Sequence, residues 1–78
     1  MSNLAGFIEE RRKNLDYIAE NAEELREIHG DKYIAVVKQE VVDSDEDELR
    51  LSERVRKAMP DLFRTIRKID KVVEEYGL

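Results

Sequence analysis

Asp43, Asp45 and Asp47 alternate along the chain as the first ligands of a calcium-binding loop do, where several oxygen donors must close around one hard cation. The rest of that loop is missing. Its sixth position, which needs glycine for a sharp turn, is Glu48, and its twelfth, which needs a bidentate glutamate, is Arg54. Acids gathered at a helix N-terminus, where the positive end of the helix dipole favours them, account better for the run 43 to 48. His29 is the single histidine, placed where a helix ends, and no second histidine stands at metal spacing from it. Ser2, Ser44, Ser52 and Thr65 have no base in a recognisable nucleophile pattern. Three glycines, one proline and no long loop leave little from which to build a cleft. The expectation is no catalytic residue, no cofactor, no resident metal, no small-molecule substrate and no enzymatic activity.

The absence of cysteine removes a disulfide framework, a thiolate zinc site and a thiol nucleophile together. The first six residues lack the basic start and apolar stretch of a secretory signal, and no apolar run nears the roughly 18 residues needed to cross a bilayer, so a cytoplasmic protein with no membrane partner is expected. At 78 residues the chain has room for one domain with a modest core. Its 41% hydrophobic content suffices for folding despite 42% charged residues. Abundant Glu, Lys and Arg with one Gln and three Asn is a thermophile-like balance.

Charge is unevenly spread. Residues 1 to 30 carry minus three, 31 to 42 zero, 43 to 53 minus five and 54 to 78 plus three, for a net charge of minus five. That balance disfavours nucleic acid, whose binding requires several phosphates to be neutralised at once.

Leu4, Ile8, Leu15, Ile18, Ala22, Leu25 and Ile28 fall at helical spacings, which predicts a helix from near Ser2 to His29, stopped by Gly30. One straight helix over residues 4 to 29 is about 39 Å long, against about 30 Å for a compact domain of this size, so it must break or protrude. Arg11 interrupts the stripe and Asn14 can cap a new helix at Leu15, which puts the break near Asn14. Residues 32 to 42 are rich in β-branched and aromatic types and predict a hairpin of two short strands. The unbroken apolar run Tyr33 to Val37 indicates a strand covered on both faces, and Lys38-Gln39 must turn the chain without the Gly or Asn that tight turns prefer. A helix through Ile34, Val37 and Val41 is the competing reading.

Ser44 and Asp47 make a capping-box pattern ahead of a helix from about Asp45 to Met59, with Leu51, Val55 and Ala58 or Met59 as its buried stripe. Pro60 suits the first position of a further helix. Phe63-Arg-Thr-Ile-Arg-Lys-Ile alternates like a strand, but Leu62, Ile66, Ile69, Val73 and Tyr76 step by four, three, four and three, which predicts helix up to Gly77. A period of two would instead put Arg64, Lys68 and Asp70 on one face with Ile66. The expected architecture is a small single α+β domain: an N-terminal helix broken near Asn14, a β-hairpin and two C-terminal helices. Within it residues 1–13 form a helical extension, 14–59 the helix-hairpin-helix core and 60–78 the last helix.

Glu24-Leu25, the run Gly30-Asp31-Lys32-Tyr33-Ile34-Ala35-Val36-Val37, the second strand Glu40-Val41-Val42-Asp43-Ser44 and the helix reaching Arg56 together resemble a small prokaryotic domain family of unknown function. In that family a helix ending in Gly leads into a Lys-Tyr-(Val/Ile)-Ala-Val-Val strand, a second strand and a helix. The likeness covers roughly residues 14 to 59. The chain departs from it in the extra Asp31, in a turn without Gly, and in a helical tail where relatives tend to end in a strand. The resemblance implies the fold and carries no activity.

The last helix is the expected interaction surface, with Leu62, Ile66, Ile69, Val73 and Tyr76 as its apolar side and Arg64, Arg67, Lys68 and Lys71 as a basic face. Arg64 with Lys68, and Arg67 with Lys71, are like charges four apart that each cost about 0.2–0.5 kcal/mol. Asp16 with Glu20, Glu20 with Glu24, and Glu23 with Glu27 repeat the penalty with opposite sign. The first and last helices therefore call for each other, within one chain or across a homodimer. A homodimer is expected either by edge pairing of two hairpins into a four-stranded sheet or by packing through Leu4, Ile8, Ile69, Val73 and Tyr76. The leading functional expectation is a non-enzymatic module that binds a protein. The alternative is a nucleic-acid-binding, antitoxin-like regulator using the basic face. Duplex DNA binding with a steep salt slope, lost on Arg67→Glu with Lys71→Glu, marks the second; its absence alongside one co-purifying partner marks the first.

Overall fold

The structure, a computed structural model, describes residues 4 to 77. The expected helix start at Ser2 and the side chain of Leu4 lie outside that description. In chain order come α1 (Leu4–Glu20), α2 (Ala22–His29), β1 (Tyr33–Val37), β2 (Glu40–Asp45), α3 (Glu48–Ala58), β3 (Thr65–Lys68) and α4 (Ile69–Tyr76). The fold is a single α+β domain in which three antiparallel strands, ordered β2-β1-β3, separate two layers of helix. Ile34 and Val36 of the central strand point into a core with Ile18 and Leu25 of α1 and α2 and Ile69 and Val72 of α4. Ala35 points the other way, against Leu51 and Val55 of α3. The apolar run that implied a strand covered on both faces is that central strand.

At the hairpin, Lys38 and Gln39 both take positive φ, 51° and 59°, as a two-residue turn matched to strand twist requires. Side chains other than Gly, Asn and Asp are strained there, by about 1–2 kcal/mol each. Asn14 offsets this. Its amide is completely buried and all of its bonding capacity is used. The Asn14 carbonyl accepts from the Gln39 backbone N–H at 3.0 Å and from Gln39 Nε2 at 2.9 Å. The Asn14 amino group donates to the Val36 carbonyl at 3.3 Å and to Thr65 Oγ1 at 3.1 Å. Gln39 Nε2 also reaches Glu10 Oε2 at 3.0 Å. One side chain on α1 thus fastens β1, the turn and β3.

That use of Asn14 corrects the expected helix break. Asn14 lies in the middle of α1, and the break falls two turns later at Asn21, whose φ of −113° leaves the helical range. Asn21 Nδ2 donates to the Tyr17 carbonyl at 2.9 Å, and the Asn21 carbonyl still accepts from Leu25, so the two helices remain joined across the kink. The start of α1 also protrudes: Phe7 and Ile8 are 50% and 61% exposed. Gly30 ends α2 at φ 64°, a conformation only glycine adopts without strain.

The larger correction concerns the tail. Residues 65 to 68 are not helix but a strand, with Tyr33 opposite Lys68, Ile34 opposite Arg67, Ala35 opposite Ile66 and Val36 opposite Thr65. The physical reason is β1. A strand sealed on both faces cannot leave one edge of N–H and C=O groups unpaired, and β3 satisfies that edge where a helix cannot. Pro60 starts no helix; Met59 before it leaves helical geometry at φ −137° and ψ 65°, as a residue preceding proline avoids the helical region, and α4 begins only at Ile69. β3 takes the β1 edge of the hairpin, so the outer edges of the sheet are those of β2 and β3. At the other end of α3, the cap is Asp47, whose carboxylate accepts from the Arg50 N–H at 3.1 Å, while Ser44 belongs to β2.

Replacing Asn14 with Leu, which keeps its volume, orphans the Gln39 N–H and both acceptors and is expected to cost about 2–4 kcal/mol in urea unfolding. Lys38→Asn, which relieves strain and breaks no side-chain bond, is expected to gain about 0.5 kcal/mol. Gln39→Gly relieves the same strain yet deletes the Nε2 bonds, so it gains nothing. A gain from Gln39→Gly as large as that from Lys38→Asn would show that the Gln39 amide holds nothing in place.

Candidate functional site

The expected interaction surface is divided by the strand. Ile69 is 1% exposed and Val73 packs against the main core, so both face α1 and α2 rather than a partner. Tyr76 sits against α1, its hydroxyl donating to Asp16 Oδ1 at 2.6 Å; desolvation first, and this bond second, push the phenol up to about 12. Of the expected dimer surface, Ile69 and Val73 are thus engaged within the chain, while Tyr76 and Ile8 remain exposed. The first and last helices do lie side by side in the one chain, but Arg26 of α2 pairs with Asp70 of α4 at 3.0 Å, the reverse of the expected polarity.

The basic face is likewise taken apart. Successive strand residues point to opposite sides of a sheet, so Arg67 and Lys68 diverge. Arg67 pairs with Glu75 of α4, whereas the Lys68 ammonium lies 5.0 Å from the centre of the Tyr33 ring, a cation–π contact on the side of α3. Lys71 is exposed on the first turn of α4, and Arg64 precedes β3. No single surface presents all four cations.

What the structure assembles instead is a groove. α3 lies over β1 and β2, and Ile66 of β3 is half-buried against the cluster of Ala35, Leu51 and Val55. The depression, about 700 Å³, is lined by Leu49 and Ser52 of α3, by Leu62, Phe63, Arg64 and Ile66 from the tail, and by Phe7 from α1. Phe7 stacks on Phe63 with ring centroids 5.6 Å apart, which ties the protruding start of α1 to the groove. Leu49 is 76% exposed. Glu48, Asp61 and Arg64 supply charge at the rim. Of the expected surface residues, Leu62, Arg64 and Ile66 meet here. Phe7, Leu49 and Phe63 escaped the sequence reading because they fall out of phase with the buried stripes. That phase error was itself the available signal, since a large apolar residue off the buried face has to lie in solvent.

The acidic run does not form a cation site. Two residues of β2 oppose one of β1 between Ala35 and Val36, a bulge at Val42. Arg54 of α3 grips Asp43 with both ends of its guanidinium, at 2.7 and 3.0 Å, and reaches Asp45 at 3.0 Å and the Ser44 carbonyl at 3.1 Å. The cation that a calcium loop would bind is thus supplied by the residue that spoils the loop's twelfth position. Asp47 is occupied as the cap of α3. Among the described residues no group of three or more His, Asp or Glu is arranged to hold a metal. His29 lies in the last turn of α2, apart from the groove. No helix among them is long and apolar enough to cross a membrane.

Comparison with protein-family models, with curated proteins and with solved structures finds no match.

The arginine clasp gives a pH signature. The Arg54 bond holds Asp43 below the ordinary 3.8, and the Asp47 N–H, followed by Arg54, does the same for Asp45. The native state then binds fewer protons than the unfolded chain near pH 4, so the stabilisation is complete above that ordinary value and fades as pH falls through the lowered native values. Arg54→Ala is expected to lower the urea midpoint at neutral pH, with the gap to wild type closing by about pH 2. A gap independent of pH would remove the clasp as its cause.

Proposed function

We propose that this chain is a non-enzymatic protein-interaction module whose binding surface is the groove between α3, the Pro60-to-Ile66 segment and Phe7. The observation that carries the reading is the exposure of Leu49 and Phe7 on one depression, together with Leu62, Phe63 and Ile66, in a chain whose residues are 42% charged. Single exposed apolar residues are ordinary, but several gathered around a charged rim mark surfaces that another protein covers. A depression of this kind, open and rimmed by Glu48, Asp61 and Arg64, suits side chains presented by a folded or extended polypeptide.

Duplex nucleic acid is the less favoured ligand. The net charge of minus five repels a polyanion, and Arg67 and Lys68 point to opposite sides of the sheet with Arg67 held by Glu75.

A photoreactive side chain in place of Ser52, inside the groove, is expected to cross-link to one protein in the cells that make this chain. The same group in place of Glu23, exposed on α2 across the sheet, is expected not to. Leu49→Lys, at a site too exposed to disturb folding, is expected to lower the Ser52 cross-link at least about fivefold. Equal labelling from both positions, or indifference to Leu49→Lys, would overturn the proposal.

A further inference from the structure

We infer that the groove receives an extended segment of another protein, which adds as a fourth strand along the outer edge of β3 and carries acidic, apolar and acidic side chains at alternate positions. This deepens the interaction reading and rests on it. β3 ends the sheet: β1 occupies one edge, and among the described residues no strand occupies the other. An unpaired edge of N–H and C=O groups beside an apolar depression is the arrangement that strand addition uses, the backbone giving affinity and the pocket giving selectivity.

The side chains specify what kind of strand fits. Ile66 and Lys68 stand two residues apart in β3 and so share one side of the sheet, about 6.6 Å apart, and Arg64, just ahead of the strand, lies at the groove beside Ile66. Arg64 and Ile66 line the groove, and Lys68 lies on that side over Tyr33. Neither Arg64 nor Lys68 joins an ion pair among the described residues. A strand laid against β3 places its alternate side chains directly opposite these three, where opposite charges attract and like charges repel. A carboxylate therefore belongs opposite each cation, and an apolar side chain belongs opposite Ile66, entering the space bordered by Leu49 and Phe63.

The same charges disfavour a second copy in the register centred on Ile66. Antiparallel pairing of two β3 edges there sets Arg64 across from Lys68 twice. The β2 edge of a copy is acidic, but Asp43 and Asp45 there are already held by Arg54, and a β2-to-β3 contact runs head to tail without closing. Cationic residues on an edge strand thus act twice, keeping copies apart and selecting an acidic strand.

The test titrates a capped synthetic peptide, Ser-Glu-Thr-Leu-Thr-Glu-Ser, into the isotope-labelled full chain. Expected are shifts of the Thr65-to-Lys68 amides, slowed hydrogen exchange at alternate members of that set, and loss of binding when the peptide's central backbone nitrogen is methylated. Exchanging both glutamates for lysines should weaken binding about tenfold or more, and the double variant Arg64→Glu with Lys68→Glu should reverse that preference. Unmoved Thr65-to-Lys68 amides at millimolar peptide, or equal binding of the lysine peptide, would overturn the inference. So would concentration-dependent shifts of those amides without peptide, which would make a second copy the occupant. Failure of the peptide with the Leu49-sensitive cross-link from position 52 intact removes strand addition alone; loss of that cross-link removes the interaction reading as well.

Discussion

The amide of Asn14 is the constraint on which the arrangement of the sheet depends. With both donors and both acceptor directions committed to Val36, Thr65 and Gln39, it fixes at once the height of α1 over β1, the shape of the hairpin turn and the position of β3. A buried polar group is costly when any of its bonds is missing, so this network tolerates few alternatives: sliding β3 by one residue would turn Thr65 away and leave a donor dry. The strained pair Lys38-Gln39 persists for the same reason. A turn with better intrinsic geometry was not needed where a helix supplied partners for both the backbone and the side chain of Gln39.

How far the sequence could be read follows from which residues act locally. Gly30 as a helix stop, the apolar run of β1, and Leu51 and Val55 as the buried stripe of α3 all depend on neighbours a few residues away, and each lies where its pattern put it. Asn14 and the tail depend on partners 22 to 51 residues distant. Asn at position 14 reads as a cap only until Val36 and Thr65 are known to be overhead. The step of four, three, four and three from Leu62 to Tyr76 fits a helix, yet a strand that hands Ile66 to one side and a helix that starts at Ile69 satisfy the same residues. The decisive clue was in β1, since five consecutive apolar residues sealed on both faces need a neighbour on each edge and the hairpin provides one. β3 does set Lys68 on one side with Ile66, and Arg64 ahead of it, but that side faces the groove, where charge is tolerated.

Charge is sorted by the fold rather than by the sequence order. The acidic run after β2 looks like a free anionic patch, but the bulge at Val42 and the turn of α3 bring Arg54 over Asp43 and Asp45, so much of it is neutralised within the chain. Arg26 with Asp70 and Arg67 with Glu75 close the side of the sheet held by α1, α2 and α4. On the α3 side Arg64 and Lys68 join no ion pair among the described residues, and Arg64 lies at the groove. Arg64 thereby stands at a rim shared with Glu48 and Asp61, on the same depression as the exposed Leu49.

The central position of β1 also bears on how the chain comes into being. Its partner β2 follows within three residues, whereas β3 arrives about thirty residues later, so on a ribosome the most apolar strand is made long before its second edge can be closed. Until Thr65 to Lys68 emerge, the nascent hairpin carries a bare flank able to zip onto a neighbouring nascent chain. α1, already synthesised and holding Asn14 ready above that flank, is placed to shield it during the wait.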